Sequence, residues 1–158
     1  CSAAYGNNGW LGLAQIWLSG SHITKGTVKV NDTYFSMAQY NTPDERNHVM
    51  CQEVGHTFGL GHTSEDGSSQ GTCMDYSSSP NSTGPNAHDF EQLSSIYAHL
   101  DGTTPSCKNP RKCPGLPANL PPFAQASAAR GHVYVDDLGH GNRRVTFVRW
   151  VSDARGEG

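Results

Sequence analysis

The stretch Cys51–His62, "CQEVGHTFGLGH", decides how the rest of the chain is read. A helix start announces it. Thr42 can cap, Pro43 suits the first helical position, and Glu45 stands three residues after the cap, which makes a capping box with proline where its missing N–H costs nothing. The helix is expected from Pro43 to about Phe58, stopping at Gly59, which takes a left-handed cap easily. Residues four apart on a helix share a face, so Gln52 and His56 point side by side and can reach one ion. Glu53 is turned one position round the helix, beside that ion rather than on it. Past Gly59 the chain can bend and bring His62 back as a third donor. Three donors with a fourth position open are what a catalytic zinc site requires. Such an ion acidifies water and polarises a carbonyl, and a carboxylate kept off the metal, Glu53, can move the proton.

Gln52 offers a neutral amide oxygen where an imidazole nitrogen would bind zinc more tightly. The change is expected to weaken metal retention more than chemistry, and the amide NH₂ must find an acceptor. His48 cannot replace it, because eight residues at roughly 1.5 Å each put it about 12 Å along the axis from His56. Cys51 points about 100° away from Gln52, and Asp75 is a weaker rival.

"QEVGHTFGLGH" (52–62), "TCMDY" (72–76) and "PNAHDFEQLSSIYAHL" (85–100) together resemble the metzincin clan of zinc endopeptidases. The clan motif is H-E-x-x-H-x-x-G-x-x-H followed by a Met-turn. Every specified position but the first matches, and the resemblance covers roughly residues 10–101. It implies an α+β, metzincin-like catalytic domain: a small N-terminal sheet, an active-site helix, a Met-turn and a closing C-terminal helix. It further implies one catalytic zinc ion on Gln52, His56 and His62, with Glu53 as general base and acid. Met74 would lie beneath the metal, and Tyr76 would ligate the resting ion or assist the oxyanion. "HITKGTVKVN" (22–31) would be the edge strand along which an extended protein or peptide substrate adds. Only 51 residues precede Gln52, so the N-terminal sheet is expected to be reduced. A different class of answer is a binding or scaffold protein that keeps the fold and has lost productive metal binding through Gln52. A third, an inhibitor or adhesion module, would rest on residues 131–158 alone.

Outside the motif, "WLGLAQIWL" (10–18) reads as a buried strand and 22–31 as a less buried one with a bulge near Gly26. "YFSMAQY" (34–40) connects with aromatic anchors, and a Ser/Gly/Asp/Asn-rich loop fills 63–85. A second helix is expected after Asn86, its apolar face (Phe90, Leu93, Ile96, Leu100) in the core, ending by Gly102. Residues 102–130 read as a Pro-rich linker, and 132–151 as a β-hairpin around a Gly-rich turn within a C-terminal extension, 131–158. His48, His88, His99, His132 and His140 read as surface or capping residues.

The 158 residues are 35% hydrophobic, with 18 Gly and 9 Pro, and suit one loop-rich domain with an appendage. A net charge of −3 without a basic stripe argues against nucleic acid or an anionic membrane as partner, and no apolar run approaches the roughly 20 residues of a membrane span. No leader is visible, and the start at Cys1 suggests a processed form. Of five cysteines, Cys107 and Cys113 bracket a tight loop, Cys51 and Cys73 each sit beside a motif and are paired, and Cys1 is left over. Two disulfides suit a secreted, extracellular monomer. No motif supports a calcium site.

Overall fold

The computed structural model describes residues 1–99 and 131–151. Strand β1 (Trp10–Ser19) and strand β2 (His22–Val30) form an antiparallel pair. Helix α1 (Pro43–Thr57) and helix α2 (Ala87–Ile96) follow, and then strands β3 (Val133–Gly139) and β4 (Asn142–Trp150). All four strands lie in one antiparallel sheet, ordered β2-β1-β4-β3. The fold is α+β, a four-stranded antiparallel sheet with two helices. The C-terminal hairpin is therefore part of the sheet, and β4 covers the side of β1 opposite β2. The Cys107–Cys113 pairing, the linker and Leu100 lie outside the described residues.

Local chemistry places the first helix where expected. Thr42 Oγ1 accepts from the Glu45 backbone N–H at 3.1 Å, and Gly59 turns the chain at φ +91° after the C-cap Phe58. The Glu45 side chain does not close the capping box; its Oε1 lies 3.9 Å from Arg149 Nη2 instead. Helix α2 has the full reciprocal box between Asn86 and Asp89. It ends at Ile96, and Phe90 is 56% exposed, so the expected apolar face is only partly core. Leu93 alone of that face packs on the cluster of Leu60, Cys73 and Met74. The β2 irregularity falls at Thr24, which has no partner between Trp17↔Lys25 and Leu18↔Ile23. Gly26 is regularly paired; the two-residue error arises because the glycine serves a close approach to Thr57 rather than a bulge.

A second irregularity, at Leu11, aligns β1 with β4 so that Gly12 faces Arg149, Ala14 faces Phe147 and Ile16 faces Val145. Period-2 alternation sends these six side-chain positions to one face of the sheet. Ala14, Ile16, Leu18, Val145 and Phe147 form a core cluster there. Leu11, Val30, Tyr34, Phe35, Tyr40 and Val49 form another, which seats the first half of α1. A side chain fully buried in such a cluster contributes about 1.5–3 kcal/mol.

Candidate metal and catalytic site

Helix α1 carries Gln52, Glu53 and His56 on its buried side. His56 Nδ1 lies 2.8 Å from the Leu60 carbonyl, so that nitrogen is the N–H and Nε2 is left as the lone-pair donor. His62 returns after the Gly59 turn, and its Nδ1 sits 2.9 Å from Glu65 Oε1. The two imidazole centroids are 4.6 Å apart. The His62 side chain is 3% exposed, and its Nε2 is buried without a partner. Anchoring Nδ1 on a carbonyl or carboxylate while freeing Nε2 is the usual preparation of a metal-binding histidine. Burial is the main reason both imidazoles titrate below their ordinary range, and the Glu65 carboxylate opposes this at His62.

Glu53 is buried, with both carboxylate oxygens unpaired. It fits only because β1 offers Gly12 there: a Cβ at that position would overlap the Glu53 carboxylate. Burial pushes the Glu53 carboxyl well above the usual carboxylate range, and Arg149 pulls it partly back.

Met74 is fully buried in the cluster with Leu60 and Cys73, and its carbonyl accepts from Thr63 N–H at 2.9 Å. The Cys51–Cys73 disulfide ties α1 to this segment, as the pairing of motif-flanking cysteines anticipates. Asp75 is also buried. Its Oδ2 accepts from Gln70 N–H at 2.7 Å and from the Ser82 hydroxyl at 3.0 Å, and its Oδ1 from Ser77 N–H at 2.9 Å. That carboxylate is fully engaged in holding its own loop and is no rival ligand.

The Gln52 carboxamide is where the structure departs from a three-donor site. Its Nε2 donates to the Asp75 carbonyl at 2.8 Å, and its Oε1 faces Arg149 Nη1 at 3.4 Å. Arg149 also donates to the Asp75 carbonyl at 2.9 Å, stands 3.3 Å from His48 Nε2, and stacks over the Tyr76 ring at 4.5 Å. The two histidines therefore fit a metal ion, whereas the Gln52 oxygen, as placed, answers a guanidinium. Among the described residues, no three His, Cys, Asp or Glu side chains are arranged to hold one ion, so a third donor would have to be of another kind.

Tyr76 lies beside His62, ring centroids 4.8 Å apart, but its hydroxyl is taken. It donates to the Val148 carbonyl at 2.8 Å and accepts from His132 Nδ1 at 2.5 Å. Burial raises its pKa above the ordinary phenol value.

Sequence reasoning missed Arg149, Phe147, His132, Gly12 and the burial of His48. Phe147 stacks on His56 at 4.1 Å with planes 7° apart. A signal for the first two existed: in "RVTFVRW", Val145, Phe147 and Arg149 share one face, and an arginine on an apolar face needs a buried partner. The strand expected to carry substrate, β2, is an edge of the sheet. The strand beside the imidazoles is β4, whereas β2 meets α1 at its C-terminal end through Gly26–Thr57 and Ile23–Gly59.

Comparison of the chain with protein-family models, with curated proteins and with solved structures yields no match.

Proposed function

We propose that the chain is a secreted zinc-dependent endopeptidase of metzincin-like design. His56 and His62 would hold the ion through Nε2, with Gln52 Oε1 as third donor and Glu53 as general base and acid. The observation that carries this reading is the pair of anchored imidazoles, above all the buried, unpaired Nε2 of His62. A polar atom desolvated in that orientation needs a partner, and a divalent cation supplies one. Bound zinc would contribute Lewis acidity toward a peptide carbonyl and toward water.

The residues of the chain do the rest. Burial keeps both imidazoles in the neutral, ligating form. It also raises the proton affinity of Glu53, the direction that suits a group that first accepts a proton and then returns it to a leaving amine. Extended segments of proteins or peptides are the substrates, and the Cys51–Cys73 bridge supports an oxidising, extracellular setting.

The scaffold reading has one observation in its favour, the Arg149–Gln52 contact. Zinc-saturated protein separates the two. The peptidase reading expects one zinc per chain by elemental analysis and cleavage of casein or a peptide. Glu53→Gln should keep the zinc and lose about 10²–10⁴-fold in rate, and His62→Ala should lose both. Full zinc occupancy with no cleavage above the Glu53→Gln background would leave the scaffold.

A further inference from the structure

Strand β4 does three things at once beside α1. It pairs antiparallel with β1 from Trp10↔Trp150 to Ser19↔Asn142 and so lies inside the sheet. It lays Phe147 flat on His56. It drives Arg149, only 4% exposed, between Gln52, the Asp75 carbonyl and the Tyr76 ring. Val148 and His132 of the same hairpin region hold the Tyr76 hydroxyl. A guanidinium and a divalent cation cannot both be served by the one Gln52 oxygen, and like charges at such short range repel strongly in a buried place.

We propose that Arg149 is an internal plug of the third donor position: β4 sets its guanidinium on the Gln52 oxygen, where it competes with a divalent cation. This inference rests on the peptidase reading given above. It explains why two histidines are prepared for a metal while the third donor faces a cation. The buried guanidinium is itself held by Glu45, at 3.9 Å, and by the Asp75 carbonyl.

The test uses the full chain and zinc itself. Zinc affinity is measured by chelator competition for wild type, Arg149→Met and Arg149→Gln, with peptide cleavage assayed in parallel and thermal melts confirming folding. Arg149→Gln keeps a donor for the Asp75 carbonyl while removing the charge, and so serves if Arg149→Met does not fold. The plug expects zinc to bind at least tenfold more tightly in the folded variants. Equal or weaker zinc binding in a folded variant overturns it. His62→Ala is placed in the wild-type and Arg149→Gln backgrounds to keep the two ideas apart. If His62→Ala abolishes zinc binding and the Arg149 variants bind no better than wild type, the plug alone fails. If zinc binding ignores His62→Ala, the metal site itself is wrong.

Discussion

The segment from α1 to Ser82 and the hairpin β3–β4 meet at the same site but are held by different kinds of contact. In the first, partners are close in sequence: His56 with Leu60, His62 with Glu65, Asp75 with Gln70, Ser77 and Ser82, and Cys51 with Cys73 at a separation of 22. In the second, every contact to the site is long-range. Arg149 reaches Gln52 across 97 residues, and Tyr76 reaches Val148 across 72. The first region orients the imidazoles and carboxylates, and the second decides what they face. A motif written into one short stretch can therefore be complete while the chemistry it permits is set from elsewhere in the chain.

The comparison can be broken first at the disulfide. If the local region is held by its own short-range ties, Cys51→Ser with Cys73→Ser should cost about 3 kcal/mol by the entropy of a loop of that length, read from denaturant midpoints. A loss below about 1 kcal/mol would show that the hairpin, not the bridge, fixes the Met74 segment.

Gly12 is the seam between the regions, opposite Arg149 and against Glu53. Gly12→Ala should destabilise by about 2 kcal/mol through overpacking and reduce cleavage further by displacing the carboxylate. An unchanged melt with unchanged turnover would mean that β1 and the helix are not pressed together there.

The smallest effect is a pH slope. His48 titrates at about 4, lowered from 6.5 chiefly by burial and then by Arg149. Its folded value is depressed, so the folded state favours neutral imidazole, and stability is lost as pH falls below 6.5 toward about 4. Between pH 7 and 5 the loss should be roughly 1–2 kcal/mol, and His48→Gln should flatten that slope. A slope that survives the substitution would assign the acid sensitivity to other groups.

Much of the first region was legible because its signals are local. Thr42, Pro43 and Gly59 mark a helix by cap chemistry alone, and the spacing of Gln52, Glu53 and His56 follows from helical geometry, with His62 beyond the Gly59 turn. The hairpin was legible as an element, since alternation and the Gly139–Gly141 turn are also local. Its position was not. Nothing in residues 133–150 states that β4 pairs with β1, because strand pairing depends on which edge is free and which face is apolar. His48 reads as an ordinary helix residue, and only the arrival of Arg149 and the Asp75 carbonyl makes its burial intelligible. Phe90 misled in the other direction, since helical spacing reports a stripe but not whether anything covers it.

The β1–β4 ladder also has a consequence in time. A ribosome delivers His62 long before Arg149, and at roughly 5–20 residues per second the roughly 87 residues between them take about 4–17 s to make. Throughout that interval the nascent chain carries Gln52, His56 and His62 with no Arg149 yet in existence. A newborn molecule therefore passes through a stage in which Gln52, His56 and His62 exist without the guanidinium that later faces the Gln52 oxygen.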